Sequence, residues 1–305
     1  MNSSPQGVKP KLALGPVLYY WKREALLGFY AGLPHSSLAT IYLGEVVCGR
    51  RHELRVPDWI SLARELAQTG VEVVLSSQTL IESDSDLRVM RRYIENGEFL
   101  VEANEMGAVR LLAGKARFVA GPHLNVYNLD TLAWLAELGA FRWVMPLEMG
   151  REALALLQAG RPAGVQTEVF AYGRIPLAFS ARCFTARHFN LPKDDCQYRR
   201  IDAPDGMLLT TREGKPFLAL NGIQTQSAQI YDLSAALPEM RALGVDLVRL
   251  SPHASGMNQV IEAFHQSIEG NTDASGLHLA LDAVRPAAPV DGYWYGKAGI
   301  DHVTV

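Results

Sequence analysis

The sequence contains few cysteines, no excess of either charge and no long apolar run. Three cysteines in 305 residues are too few, and odd in number, for the disulfide framework of a small secreted protein, so a reducing, cytoplasmic setting is expected. The 29 basic and 32 acidic residues leave a formal net charge of −3, which gives no electrostatic reason to expect a nucleic-acid partner. No run approaches the roughly 18 apolar residues of a membrane span, and the amino terminus lacks the apolar region of a signal peptide, so no integral membrane segment is expected.

Three motifs that would assign a chemistry are also missing. The first strand–helix junction has no GxGxxG nucleotide fingerprint, no GxSxG marks a nucleophilic serine, and no CxxC pair marks a zinc knuckle. An open, nucleotide-binding sheet is therefore the less favoured architecture. The spacing of the cysteines alone is therefore a weak signal for a metal site.

The sequence does contain a regular alternation of short apolar runs and longer segments with helical periodicity, which is typical of parallel strands covered by helices. Eight such units predict an α/β fold, a TIM-like (β/α)8 barrel. The predicted strands are Lys11–Leu14, Ala39–Leu43, Val71–Leu75, Phe99–Glu102, Arg117–Ala120, Arg142–Met145, Gly164–Phe170 and Asp246–Leu250. The predicted helices are Arg23–Ala31, Asp58–Gln68, Asp84–Glu95, Glu105–Ala113, Leu129–Leu138, Arg151–Gln158, Ala235–Ala242 and Asn258–Ile268.

The alternation stops after the seventh predicted strand. Residues 171–227 predict a cysteine-bearing loop followed by a β-hairpin, with strands Met207–Thr211 and Pro216–Leu220 around a turn. An insertion at this point would lie over the carboxyl ends of the barrel strands, where barrel enzymes place their chemistry. We therefore predict a disordered tail over residues 1–10 and a single barrel domain over residues 11–305, with the insertion over its mouth.

Polar residues follow most of the predicted strands, and four charged or titratable ones are candidates for catalysis. Glu45, His123 and Arg174 come just after strands, and Glu168 lies on the seventh strand facing the barrel interior. Histidine is the natural acid–base group near neutral pH. The alternatives are that loop residues cap the following helices and that Glu168 pairs with a basic residue inside the barrel.

The three cysteines could meet over the barrel mouth, because Cys48 follows the second strand and Cys183 and Cys196 lie in the insertion. Thiolates are soft ligands that suit iron–sulfur clusters or zinc, and the arginines near all three favour the ionised form. The alternative for each is a small buried apolar side chain. A second alternative is a nucleophilic pair formed by Cys183 and His188.

Several blocks resemble a known family. EVFAYGRIPLAFSARCFTARH, at Glu168–His188, is similar to the signature of the collagenase-like peptidase family, and LALGPVLYYW, YLGEVVCGRRHE, GPHLNVYN and LNGIQTQSAQIYDL are similar to its UbiV branch. The resemblance covers Leu12–Gly299. It implies a barrel-like fold and anaerobic, dioxygen-independent ring hydroxylation of a prenylated aromatic quinone precursor in ubiquinone biosynthesis. It also implies a heterodimer with a UbiU-like paralogue and an organic oxygen donor such as prephenate.

The same resemblance implies a [4Fe–4S] cluster held by four cysteines. Cys48, Cys183 and Cys196 match the first three positions, but Arg200 stands at the fourth, and a guanidinium has no lone pair to offer iron. The site could keep three thiolates with an open iron, could have degenerated, or could use a substitute ligand. The residues near enough in sequence to substitute are His188, Asp194 and Asp195. We expect an incomplete or labile cluster, and the alternative functions are a peptidase and a non-catalytic scaffold or substrate-binding subunit.

Overall fold

The computed structural model describes residues 8–192 and 195–303. Its strands are β1 (Lys11–Leu14), β2 (Thr40–Leu43), β3 (Glu72–Ser76), β4 (Leu100–Ala103), β5 (Phe118–Ala120), β6 (Ala140–Val144), β7 (Gln166–Gly173), β8 (Pro176–Phe179), β9 (Met207–Thr210), β10 (Pro216–Asn221), β11 (Gln224–Ser227), β12 (Ile230–Asp232), β13 (Leu247–Leu250) and β14 (Pro289–Val290). Its helices are α1 (Arg23–Ala31), α2 (Val56–Ala67), α3 (Asp84–Ile94), α4 (Met106–Leu112), α5 (Leu129–Glu137), α6 (Arg151–Ala159), α7 (Phe184–His188), α8 (Leu237–Ala242), α9 (Met257–Glu269) and α10 (Ala274–Asp282).

Eight parallel strands form a closed barrel. Each of β1 to β6 pairs in parallel with the next strand, and β13 closes the ring by pairing with both β7 and β1. The closing register sets Leu247 opposite Glu168 on one side and opposite Lys11 on the other. Every residue of β2 is buried, as expected for a parallel strand covered on both faces. The predicted TIM-like (β/α)8 barrel is therefore confirmed.

Local sequence sets several of the helix ends. The Ser83 side chain caps α3 by accepting a hydrogen bond from the backbone N–H of Asp86, and Asn128 caps α5 through the N–H of Thr131. Such caps satisfy backbone donors that the first helical turn leaves free. Gly70, after α2, adopts a φ of 89°, a conformation that glycine adopts without steric cost. Among the described residues, no helix has the length and hydropathy to cross a membrane.

The insertion after β7 contains more strands than predicted. A four-stranded antiparallel sheet has the order β8-β11-β10-β9, so the predicted single hairpin, which corresponds to β9 and β10, is only half of it. The segment Gln224–Ser227, which forms β11, lacks the apolar alternation that identifies a strand, and its pairing with β10 and β8 decides its conformation. Of the predicted disordered tail, residues 1–7 lie outside the described residues.

Candidate functional site

A network of ion pairs fills the interior of the barrel around Glu168, which is fully buried on β7. The Arg249 Nε donates to Glu168 Oε1 at 2.6 Å, and the Tyr42 hydroxyl donates to Glu168 Oε2 at 2.6 Å. Arg249 Nη2 also lies 2.8 Å from Glu102 Oε1, and Ser76 Oγ donates to Glu102 Oε2 at 2.6 Å. One guanidinium thus neutralises two buried carboxylates, and both oxygens of Glu168 already accept hydrogen bonds.

Arg249 and Glu102 are central to this network, and neither was a predicted site residue. Each is a charged residue in an otherwise apolar strand, within the segments LVRL and LVEA. The side chains of a strand that is buried on both faces do not reach solvent, so a charged side chain there needs a partner of opposite charge inside the barrel. That pattern is the signal in the sequence that could have identified them.

A small cavity of about 30 Å³ lies at the barrel mouth, with room for little more than a water molecule. His123 lines it, and the His123 ring meets the ring of Phe179 from the insertion edge-on, with centroids 5.0 Å apart. Burial, with a contribution from the Arg249 charge, lowers the pKa of His123 to about 4. His123 is therefore neutral near pH 7, with one ring nitrogen able to accept a hydrogen bond.

The depressed pKa of His123 predicts acid sensitivity. The unfolded chain protonates histidine near pH 6.5, whereas the folded protein resists protonation down to about pH 4. The unfolded state therefore binds more protons in this window, and stability falls as the pH drops from about 6.5 towards 4, by about 2 kcal/mol. Measured by urea unfolding across this range, the free energy of unfolding of His123→Gln should depend less on pH than that of wild type. His188→Gln, at an exposed histidine, is the control; equal slopes for wild type and His123→Gln would contradict the prediction.

The other two charged candidates also have partners. The Arg174 Nη1 donates to the carbonyl oxygens of Ser227, at 3.0 Å, and of Ala228, which ties the end of β7 to the end of β11. Glu45 Oε1 lies 3.0 Å from Arg51 Nη1. Burial raises the pKa of Glu45, and the Arg51 charge opposes this effect. Both candidates thus lie where the barrel mouth meets the insertion, and their catalytic roles stay predictions.

The structure brings the three cysteines into one small buried cluster. Cys48 comes from the loop after β2, whereas Cys183 and Cys196 come from the insertion, and all three are free thiols. The Cys183 Sγ accepts a hydrogen bond from the backbone N–H of Ala186 at 3.4 Å. The apolar side chains of the cluster are Leu18, Val46, Val47, Ala186 and Ile223. We call this cluster, with Arg200, the thiol pocket.

Arg200 points into the thiol pocket. Its side chain is buried, and its Nη2 donates to the Cys48 Sγ at 3.3 Å. The guanidinium carbon lies 5.5 Å from the centroid of the Tyr20 ring, within cation–π range. A Cβ at Gly222 would lie 2.1 Å from Arg200 Nη1, so glycine leaves the space that the guanidinium occupies.

A second buried arginine borders the thiol pocket and anchors the insertion to the barrel. Arg51 Nη1 donates to the carbonyl oxygen of Leu18 at 2.7 Å, and Arg51 Nη2 donates to Asn221 Oδ1 at 3.0 Å. Arg51 and Arg200 bring two positive charges to a region whose nearby carboxylate is Glu45. The two guanidinium groups outnumber this carboxylate and leave the pocket with surplus positive charge.

The thiol pocket brings together the three cysteines predicted as cluster ligands but supplies no fourth ligand. Over residues 8–192 and 195–303, no three His, Cys, Asp or Glu side chains converge to hold a single metal ion, which would require ligands at about 2.3 Å from one point. In an iron–sulfur cluster each cysteine binds a different iron, so the ligand sulfurs lie around the cluster and do not converge on one point. His188 and Asp195 are exposed, Asp194 lies outside the described residues, and the guanidinium of Arg200 stands beside the thiols.

The sequence model of peptidase family U32 matches residues 33–302. The chain belongs to peptidase family U32. The family-level resemblance of its blocks to the collagenase-like peptidases is thus confirmed. The barrel mouth and the thiol pocket of this U32 chain lie largely within the matched segment.

Solved structures with similar folds include the U32 peptidase Mk0906, at 10% sequence identity and a TM-score of 0.46, covering 84% of this chain and 97% of that one. Orotidine 5′-phosphate decarboxylase from Pyrococcus horikoshii matches at 12% identity and a TM-score of 0.40, covering 84% and 99% of the two chains. Dihydropteroate synthase from Thermus thermophilus matches at 13% identity and a TM-score of 0.41, covering 85% and 93%.

Proposed function

We propose that this U32 chain belongs to the UbiV branch and takes part in dioxygen-independent ring hydroxylation of a prenylated aromatic precursor in ubiquinone biosynthesis, in a heterodimer with a UbiU-like paralogue. The proposal rests on one observation: three thiols from two distant parts of the chain lie in one buried cluster beside the barrel mouth. Soft thiolates beside guanidinium groups suit an anionic iron–sulfur guest.

In this proposal Cys48, Cys183 and Cys196 would hold the cluster, which would supply one-electron transfer when bound. Arg51 and Arg200 keep the pocket positive, and Ala186 and Ile223 of the insertion pack against its cysteines. His123 is neutral and lines the mouth cavity, where a ring nitrogen can accept a hydrogen bond from substrate. That cavity, with a volume of about 30 Å³, is smaller than an aromatic ring, so an aromatic precursor can enter it only if the lining residues rearrange. An organic oxygen donor, such as prephenate, belongs to the same proposal.

The geometry favours this role over a cysteine peptidase. Cys183 is the N-terminal cap of α7 and is buried, whereas His188 is exposed at the last residue of the same helix. A nucleophile–base pair needs the two side chains within hydrogen-bond reach. The Cys183 Sγ instead accepts from a backbone N–H, so this pair is not arranged for catalysis.

The test uses cells that lack this chain but contain the UbiU-like partner, and the cells are grown without dioxygen. We expect the wild-type chain to restore quinone output, and the triple variant Cys48→Ser, Cys183→Ser, Cys196→Ser to reduce it by at least about 100-fold, because no thiolate ligand remains. Growth in air, where dioxygen-dependent hydroxylases operate, is the matched control and should show no difference. Full output from the triple variant would favour a scaffold role, and full output without the chain would refute the proposed function.

A further inference from the structure

A large open cavity lies at the end of the barrel where the eight parallel strands begin, opposite the mouth. Its volume is about 690 Å³, within the range of sites that hold small organic molecules. We call it the basal cavity. Two carboxylates line it, those of Glu72 and Asp246. The cationic side chains in its wall are more numerous, and they are Lys9, Lys11, Arg117, Arg142 and Arg161.

Both carboxylates of the basal cavity already pair with arginines of its wall. Glu72 Oε2 lies 2.7 Å from Arg142 Nη2, and the same oxygen accepts a hydrogen bond from Thr40 Oγ1 at 2.8 Å. Asp246 Oδ2 accepts a hydrogen bond from Arg161 Nη1. These contacts neutralise two of the five cations and leave neither carboxylate paired with a lysine of the wall.

Two cations of the basal cavity, Lys11 and Arg117, stay uncompensated. Lys9 pairs with Glu269 at 2.8 Å, but in the part of the chain that the structure describes neither Lys11 nor Arg117 has an ion-pair partner. Residues 1–7 contain no Asp or Glu that could supply one. Lys11 begins β1 and Arg117 immediately precedes β5, and these two strands lie on opposite sides of the eight-stranded ring. Two positive charges therefore border one open space from opposite sides.

The floor of the basal cavity is apolar. Leu100, Phe141 and Leu247 line the cavity and belong to one apolar cluster inside the barrel. The Phe141 ring is half-buried, and the Arg117 guanidinium carbon lies 4.4 Å from its centroid, within cation–π range. A flat apolar group that packs against this ring would therefore hold an attached anionic group close to the guanidinium.

We propose that the basal cavity binds an aromatic oxyanion. The charged group, a phosphate or a carboxylate, lies between Arg117 and Lys11, and the aromatic ring packs against Leu100 and Phe141. The planar guanidinium fork matches the oxygens of either group. An inorganic anion would leave the apolar floor uncovered, and a neutral aromatic molecule would leave the two cations uncompensated. The site lies at the opposite end of the barrel from the thiol pocket and does not depend on the proposed function.

Isothermal titration calorimetry of the full-length protein with phenyl phosphate tests the proposal. Phenyl phosphate should bind at a single site. Inorganic phosphate, which lacks the ring, and benzyl alcohol, which lacks the charge, should each bind at least about tenfold more weakly. Arg117→Met and Lys11→Met should each weaken the binding of phenyl phosphate by about tenfold, because each removes one charge-assisted contact to the anion. Both residues are exposed, so the variants should fold, and far-UV circular dichroism checks this.

Lys115→Met is the matched control. Lys115 is an exposed cation two residues before Arg117, but it does not line the basal cavity, so this variant should bind phenyl phosphate as wild type does. The inference is overturned if wild type does not bind phenyl phosphate, or if either Arg117→Met or Lys11→Met binds it with unchanged affinity. Equal affinities for phenyl phosphate and inorganic phosphate would also overturn it, because the apolar floor would then contribute nothing. So would an equal loss of affinity in Lys115→Met and Arg117→Met, which would show a general effect of charge.

Discussion

Replacement of Arg249 by methionine is expected to destabilise the protein by about 3–5 kcal/mol or to prevent folding. The substitution removes the one guanidinium that lies between Glu168 and Glu102, at 2.6 Å and 2.8 Å respectively, and both carboxylates are almost wholly buried. The variant leaves Glu102 without the guanidinium that pairs with it, and leaves Glu168 with only the more distant Arg142, whose Nε lies 4.0 Å from Glu168 Oε2. Removing one partner of a buried ion pair is far more harmful than replacing the whole pair by apolar groups.

Urea unfolding of wild type and Arg249→Met measures this effect. Arg64→Met is the matched control, since Arg64 pairs with Glu98 at the surface, where both side chains are exposed and ion pairs contribute little. An Arg249→Met protein as stable as the Arg64→Met control would contradict our interpretation of the barrel interior.

Arg51→Met is expected to destabilise the protein by a similar amount, about 3–5 kcal/mol, and to loosen the insertion. The substitution leaves Glu45 without its ion pair, and it removes a donor from both the Leu18 carbonyl oxygen and Asn221 Oδ1. Asn221 belongs to β10, so the lost contacts are those that join the insertion to the barrel mouth. Urea unfolding measures the decrease in the free energy of unfolding relative to wild type. Limited proteolysis should show faster cleavage within residues 171–227 in the variant.

The control for Arg51→Met is Arg182→Met, which changes an exposed arginine of the insertion itself. Because solvent replaces most interactions of an exposed side chain, this variant should match wild type in both assays. If Arg51→Met destabilised the barrel but left the cleavage rate of the insertion unchanged, the proposed anchoring role of Arg51 would be wrong.

The sequence predicted the barrel well because its signals are local and repeated. The apolar run at Lys11–Leu14 coincides with β1, and the periodic segment at Arg23–Ala31 coincides with α1. The prediction fails where tertiary pairing decides the structure. β7 continues beyond Phe170 to Gly173, where it pairs with β12, and β11 has no periodicity of its own.

The site could be predicted in its composition but not in its contacts. Cys48, Cys183 and Cys196 stood out because cysteines are rare in this chain, and the structure places all three in one cluster. The direction of the Arg200 side chain and the pairing of Glu168 with Arg249 depend on how β7, β13 and the insertion are placed in space. Spacing along the chain carries no information on such contacts.

The order of elements along the chain has a consequence for folding. The closing strand β13 pairs with β1 and brings Arg249 opposite Ala13, which lies near the other end of the chain. The ribosome synthesises β13 only after it has synthesised the whole insertion. During synthesis the seven earlier strands therefore exist as an open sheet with unpaired edges, a state prone to aggregation. Contacts this distant in sequence make closure slow. The thiol pocket, which joins Cys48 to the insertion, therefore has to assemble late, on a nearly finished protein.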